Sequence, residues 1–163
     1  GDGFGSGVMA GETGLMLNNF GYWFDFDPAS PNVIGPNKQI EMCMAPAAIF
    51  RDDKLFMVMG TPGSFGILQT TPQMISNVLD HGYSMQAAIE APRIKATVGT
   101  ELQIETRIPA EIRDGLTALG HDLQLIGDWS PLVGGGQGIL IDPDSGAYCG
   151  GGDPRRDGYA MAW

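Results

Sequence analysis

Few residues in this sequence are of the kinds that carry chemistry, and their spacing narrows the choice further. His81 and His121 are the only histidines, so a histidine triad or histidine-rich metal site has too few members. His81 falls at the end of a predicted helix, where the helix dipole favours a cation. His121 follows a helix stop, and both read as structural. Asp142, Asp144 and Gly146 have the outline of a calcium loop, but the glycine arrives one place early and no glutamate closes the loop. A turn is the expected reading. Gly1-Asp-Gly3-Phe-Gly5-Ser-Gly7 is not a dinucleotide fingerprint, because Ser6 stands where a glycine is needed. No Gly-Lys-Ser/Thr follows any glycine run, which excludes a phosphate-binding P-loop. Gly60-Thr-Pro-Gly63-Ser64 is more informative, since it follows an apolar strand and opens a helix. One reading is a simple strand-to-helix turn. The other is a pair of consecutive backbone N–H groups able to hold a developing oxyanion.

The elements that must position these residues follow from pattern. Residues 6–18 read as two short extended pieces around a turn at Gly11–Gly14. Residues 19–45 carry Pro28, Pro31 and Pro36 with little periodicity, and so form a long loop, a type of segment that is often functional. Apolar runs at 46–52 and 54–59, split by Asp52-Asp53, predict a hairpin. In the next segment Ile67, Thr71, Met74, Ile75, Val78 and Leu79 recur at helical spacing, with Pro72 either kinking the helix or delaying its start. A second helix is expected at 85–91, capped by Ser84 and ended by Pro92. A third is expected from Pro109 to Leu119, with Pro109 in the first helical position and Gly120 just past the end. Strands are expected at 122–126, 136–142, 146–150 and 158–163, with Asp142–Gly146 as a hairpin turn. The order is strands, two helices, a strand, a helix, then strands. It predicts an α+β fold with helices on one face of a sheet, not a doubly wound parallel sheet.

Composition bounds the function. With 163 residues the chain is one domain or most of one. Its 9 basic and 19 acidic residues give a net charge of −10. That sign argues against nucleic acid, which needs clustered Lys and Arg, and against an anionic membrane surface. Solubility explains the charge. No apolar stretch is long enough to span a bilayer, and no signal peptide is visible. Cys43 and Cys149 match neither a zinc spacing nor a CxxC motif, and a disulfide between them stays open. No cofactor or metal site is predicted. Of the 25 glycines, 14 gather at Gly1–Gly14, Gly134–Gly138 and Gly146–Gly152, where clustering implies tight turns and close backbone approach.

Six segments in order carry a resemblance: Phe4-Gly-Ser-Gly7, Gly11-Glu-Thr-Gly14 with Leu17-Asn18-Asn19, Gly35-Pro-Asn-Lys38, Gly60-Thr-Pro-Gly63, Ala91-Pro-Arg93 and Asp153-Pro-Arg-Arg-Asp-Gly158. Together they resemble the small subunit of γ-glutamyltranspeptidases, from Phe4 to Trp163. The resemblance implies an N-terminal-nucleophile hydrolase, a four-layer αββα sandwich built from a large and a small subunit of one self-cleaving precursor. Residues 1–163 would then be the C-terminal part of the small, catalytic subunit, a single domain that is not autonomous and is completed by the large subunit. The family nucleophile is a Thr at the small subunit's new N-terminus, with its own α-amino group as base. Gly1 has no side chain, and the Thr is expected upstream of this chain.

The resemblance also assigns residues. The family's two oxyanion-hole glycines correspond to Gly63 and Ser64, and Ser64 keeps its N–H but is less free to adopt a positive φ. The Gln and Asp that hold the glutamate amino group correspond to Phe20 and Trp23. Two serines that hold its carboxylate correspond to Met42 and Cys43. An Arg that often follows the glycine pair is replaced by Gly66, preceded by Phe65. Burying a charged head group among these residues would cost several kcal/mol. The expected activity is therefore hydrolysis of a small-molecule amide with a non-glutamyl acyl group, contacted by Phe20, Trp23, Met42, Cys43 and Phe65. The alternatives are genuine γ-glutamyl transfer and a non-catalytic binding or structural role. Family members are often exported, whereas the missing disulfide framework favours the cytoplasm over the periplasm, and the compartment stays open.

Overall fold

A computed structural model describes residues 4–162. The chain divides into two compact units, Gly1–Met42 and Cys43–Trp163, and each is described by itself.

In the first unit, residues 6–18 fold back on themselves around the predicted turn. Met9 bridges Met16 in antiparallel fashion. The Leu17 N–H donates to the Val8 carbonyl at 2.9 Å and the Ala10 N–H to the Leu15 carbonyl at 2.9 Å. Thr13 closes the turn by giving its hydroxyl proton to the Ala10 carbonyl at 2.7 Å. Residues 19–42 are irregular as expected, apart from a single 3-10 turn at Phe20–Trp23 and a parallel bridge between Asp25 and Val33.

The second unit contains β1 (Ala47–Arg51), β2 (Lys54–Gly60), α1 (Ile67–Leu79), α2 (Met85–Glu90), β3 (Ile94–Ala96), β4 (Glu101–Ile104), α3 (Ala110–Ala118), β5 (Asp122–Leu125), β6 (Gln137–Ile141) and β7 (Tyr148–Gly152). The first hairpin turns through Asp52 and Asp53, both at positive φ (48° and 60°). That geometry matches the right-handed twist of paired strands. Four strands form an antiparallel sheet in the order β1-β2-β6-β7, and β3-β4-β5 form a second sheet. In the second sheet β4 and β5 are parallel. The sequence pattern gave one strand between α2 and α3; the structure has two, joined by a turn at 97–100.

The core lies between the four-stranded sheet and the pair α1 and α2. Met57 and Met59 pack against Met74, Val78, Met85 and Ile89, with Ile49 and Leu140 at the margin. Glycine makes the approach of α2 possible: a Cβ on Gly138 would lie 2.6 Å from the Met85 sulfur, and one on Gly151 2.8 Å from Ile89 Cδ1. Ser84 caps α2 as expected, accepting the Ala87 N–H at 3.2 Å. Pro72 lies inside α1, whose start is not delayed. Leu79, expected on the inner face, is more than a third exposed. Pro109 is the N-cap of α3, one place before its predicted position.

Among the described residues of this unit, no helix packs on the other face of the four-stranded sheet. Ala48, Val58, Ile139 and Gly150 form one cross-strand row there. Ile139 remains 45% exposed. The strand expected at 158–163 is not formed over the described residues 158–162. Asp157 turns the chain with a φ of +52°, and the Gly158 N–H returns to the Asp153 carbonyl at 2.9 Å. The tail then lies across β7 instead of alongside it. A Cβ on Gly150 would meet Ala160 Cβ at 3.0 Å, and one on Gly152 would meet the Tyr159 nitrogen at 2.9 Å. Tail and sheet face bound an open groove of about 1040 Å³, walled by Ala48, Val58, Ile139, Tyr148 and Tyr159 among others.

Candidate active site

The turn between β2 and α1 carries the two candidate oxyanion donors. Gly63 has φ +143° and ψ 21°, a conformation that a residue with a Cβ rarely adopts. Ser64 has φ +58°. Serine is less free than glycine to take a positive φ, and Ser64 takes it nonetheless. Among the described residues no acceptor receives the N–H of Gly63 or of Ser64. Two adjacent unspent donors at a helix start are the equipment that stabilises a tetrahedral oxyanion, provided they lie 2.7–3.1 Å from it.

Both donors belong to fixed peptide planes. The Gly63 carbonyl accepts the Gly66 N–H at 3.0 Å, which sets the plane containing the Ser64 N–H. The Pro62 carbonyl accepts the Thr61 hydroxyl at 2.9 Å, which sets the plane containing the Gly63 N–H. The Thr61 oxygen in turn accepts the Gly135 N–H at 2.9 Å. Gly134, with φ +89°, sits so close that a Cβ would lie 2.4 Å from Thr61 Oγ1 and 2.9 Å from the Pro62 oxygen. The glycine run at 134–138 is thus a strut beneath the turn.

That strut is tied to a buried ionic cluster. The Gly136 N–H donates to Asp153 Oδ2 at 2.8 Å. The same carboxylate oxygen pairs with the Arg93 guanidinium, while Asp153 Oδ1 pairs with Arg155 at 3.1 Å. Glu105 holds Arg155 with both oxygens, at 2.7 and 2.6 Å, and also accepts the N–H groups of Arg93 and Ser130. Arg155 further donates to the carbonyls of Ile89 and Ala91, both at 3.0 Å, and so occupies the end of α2. Arg93 and Glu105 are fully buried and Asp153 nearly so. Burial by itself would raise the pKa values of Glu105 and Asp153. Hydrogen bonds from Arg155, from Arg93 and from backbone N–H groups overcome it and hold both carboxyls below their ordinary range. Burial, with the neighbouring charge of Arg155, lowers Arg93. Arg155 rises despite burial, because Glu105 and Asp153 both hold its proton.

The remaining predicted residues are spread along the chain. Phe20 and Trp23 begin and end the 3-10 turn of the first unit, three residues apart and so on one edge of it. Both are half-buried, as are Met42 and Cys43. Asn18 accepts the Phe20 N–H at 3.0 Å, and Asn32 donates to the Trp23 carbonyl at 2.6 Å. Phe20, Trp23 and Met42 belong to the first unit; Cys43, Gly63, Ser64 and Phe65 belong to the second. Phe65 is 57% exposed. Cys43 and Cys149 are free thiols, so the disulfide left open by the sequence is not formed. His81 is exposed and His121 half-buried. Asp142 Oδ1 is occupied by the N–H and hydroxyl of Ser145, both at 2.7 Å, which makes 142–146 a turn as expected. Among the described residues no group of three His, Cys, Asp or Glu side chains is arranged to hold a metal ion, and no helix is long and apolar enough to cross a membrane.

Thr61, Gly134–Gly136, Glu105 and the ionic cluster were not singled out from the sequence as site residues. Ala91-Pro-Arg93 and Asp153-Pro-Arg-Arg were visible as motifs, and the glycine run as a cluster. Their mutual contact was not visible.

Comparison with known proteins bears on this arrangement. The family model described as Gamma-glutamyltranspeptidase matches residues 1–163. The chain is 36% identical over 163 residues to the glutathione hydrolase-like YwrD proenzyme of Bacillus subtilis (strain 168), an alignment covering 97% of this chain and 31% of that protein. This chain therefore spans about a third of that relative's length. The structure of cephalosporin acylase from Bacillus halodurans superimposes with a TM-score of 0.89 at 36% identity, over 99% of this chain and 30% of that one. A mutant of Helicobacter pylori gamma-glutamyltranspeptidase superimposes with a TM-score of 0.82 at 31% identity, over 94% of this chain and 88% of that one. With the whole length matched by one family model and the fold shared with its solved members, this chain belongs to the gamma-glutamyltranspeptidase family.

Proposed function

We propose that this chain is the C-terminal part of the small, catalytic subunit of an amide hydrolase that works through an acyl-enzyme, with a non-glutamyl acyl group as its substrate. The observation that carries the reading is the turn at Gly63 and Ser64. Its two amides have no acceptor among the described residues, and each lies in a peptide plane fixed by a separate hydrogen bond. Attack on an amide carbonyl moves charge onto its oxygen, and such preorganised donors stabilise that charge without reorganising. The attacking group is a Thr hydroxyl upstream of this chain, with its α-amino group as base.

The choice of acyl group rests on side-chain chemistry. Phe20, Trp23, Met42 and Cys43 stand where the family holds an amino acid head group, and Phe65 follows the donor pair. None of them can pair with both an ammonium and a carboxylate. A zwitterion bound there would lose hydration without compensation. Likeness to a cephalosporin acylase points the same way. Likeness to a glutathione hydrolase-like proenzyme and to a γ-glutamyltranspeptidase supports the second reading, true γ-glutamyl hydrolysis or transfer, with head-group contacts supplied by the other subunit.

The partner is the large subunit of the same precursor, seated on the uncovered face of the four-stranded sheet. A sheet needs both faces covered, and the row Ala48, Val58, Ile139 and Gly150 has apolar surface left to bury. The deciding experiment starts from the processed two-subunit protein with a Thr confirmed at the new N-terminus. It compares kcat/KM on a γ-glutamyl anilide with that on apolar and oxalyl-type amides. Preference for the second class is expected. Efficient γ-glutamyl cleavage with transfer to a dipeptide promotes the second reading, and a precursor with no Thr, Ser or Cys at its processing site leaves a non-catalytic role.

A further inference from the structure

The structure contains a device that aims the first oxyanion donor, and we propose that Thr61 is its positioning residue. The inference rests on the oxyanion reading of Gly63 and Ser64. A peptide unit is planar, so the direction of the Pro62 carbonyl determines that of the Gly63 N–H on the opposite side of the same bond. The Pro62 carbonyl is held by one side chain, the Thr61 hydroxyl, at 2.9 Å. That hydroxyl is itself oriented, since it accepts the Gly135 N–H at 2.9 Å and must therefore direct its single proton elsewhere.

Gly135 is in turn anchored. Its neighbour Gly136 donates to Asp153, which sits in the buried cluster with Arg93 and Arg155. The path from the ionic cluster to the donor thus runs Asp153, Gly136, Gly135, Thr61, Pro62, Gly63. Each link is a covalent bond or a hydrogen bond of 2.8–2.9 Å. The Ser64 N–H does not depend on this path, because the backbone pair Gly66 to Gly63 fixes its plane. Loss of the Thr61 hydroxyl should therefore misalign one donor of the two, and affect the transition state more than substrate binding.

Thr61→Ser retains the hydroxyl, while Thr61→Val and Thr61→Ala remove it. Measured in the processed two-subunit protein on whichever amide it cleaves, Thr61→Val should lower kcat about tenfold, less than the roughly 10²–10³-fold for removing such a donor outright, and leave KM within about twofold. Thr61→Ser should restore kcat to within about threefold. A valine methyl must fit against Gly134, so if Thr61→Val is not recovered processed, Thr61→Ala carries the comparison. Unchanged kcat without the hydroxyl, a change in KM alone, or equal loss in Thr61→Ser would overturn the role. Gly63→Pro, run in parallel, separates the two levels. It removes one donor and, because proline cannot take the φ of +143° held there, also distorts the turn, so it should lower kcat by about 10²-fold or more. If Gly63→Pro is slow while the Thr61 variants are normal, only the Thr61 role falls. Near-normal turnover in Gly63→Pro removes the oxyanion reading itself.

Discussion

The ionic cluster and the Gly63–Ser64 turn treat their polar groups in opposite ways: Arg93, Glu105, Asp153 and Arg155 are buried, whereas Gly63 is half-buried and Ser64 exposed. In the cluster nearly every donor has an acceptor: Glu105 alone takes Arg155 on both oxygens, Arg107, and two backbone N–H groups. In the turn the geometry is as tightly fixed, yet the two N–H groups have no acceptor among the described residues. A saturated network contributes rigidity, whereas fixed but unspent donors contribute binding capacity. The strut Gly134–Gly136 connects the two, so rigidity built in one place is delivered to the other. The comparison predicts that damage to the cluster appears first in stability, and damage to the turn first in turnover.

The largest stability effect should come from Asp153→Ala. It leaves Arg93 buried with its carboxylate partner gone and frees the Gly136 N–H. Breaking a buried pair from one side costs about 3–5 kcal/mol. Chemical denaturation of the processed protein should show a loss of that order. A loss under about 1 kcal/mol would mean that the cluster behaves as surface charge and cannot anchor the strut.

Acid should break the same cluster reversibly. Glu105 and Asp153 both have folded-state pKa values below their ordinary 4.5 and 3.8. For such groups the unfolded chain binds protons first as pH falls, so the stabilisation is full above the ordinary values and drains away as pH drops below them. Stability measured from pH 6 downward should hold to about 4.5 and then fall steeply, within the range expected for paired carboxylates. In Asp153→Ala the slope below pH 4.5 should be shallower, because one of the two linked protons has been removed. An unchanged slope would place the acid sensitivity outside this cluster.

How much of this was legible in the sequence depended on range. The β1–β2 hairpin, the Ser84 cap and the turn at Asp142 rest on contacts between near neighbours, and were read from residue type and spacing. The parallel pairing of β4 with β5 was not, since parallel partners are joined through a helix and leave no turn signature. The 158–162 segment has the apolar character of a strand, and β7 offers a free edge, but the left-handed turn at Asp157 carries the chain away from that edge. The glycines of β7 instead let the tail lie over the sheet. In the candidate site, the Gly63–Ser64 turn was legible because glycine, proline and a strand-helix junction coincide. Thr61 looked like an ordinary turn residue. Its role depends on Gly135, which is 74 residues away, and the same distance hid the meeting of Arg93 with Asp153, 60 residues apart.

The smallest expected effect, and the one that tests the turn most finely, is that of Ser64→Gly. Ser64 holds φ +58°, a left-handed conformation that costs an L-residue roughly 1–2 kcal/mol. Glycine removes that strain but enlarges the freedom of the unfolded chain, which returns about 0.4–1 kcal/mol. The balance is a stabilisation of about 0–1.6 kcal/mol, read as a small rise in the denaturation midpoint. Turnover should be unchanged, because the contribution assigned to residue 64 is its backbone N–H, which glycine retains. Its hydroxyl makes no hydrogen bond among the described residues. A large fall in kcat would show that the side chain itself meets the reacting groups, and the turn would then supply one backbone donor and one hydroxyl instead of two amides. A fall in stability would show that the hydroxyl is held by a group outside this chain, which is where the large subunit is proposed to lie.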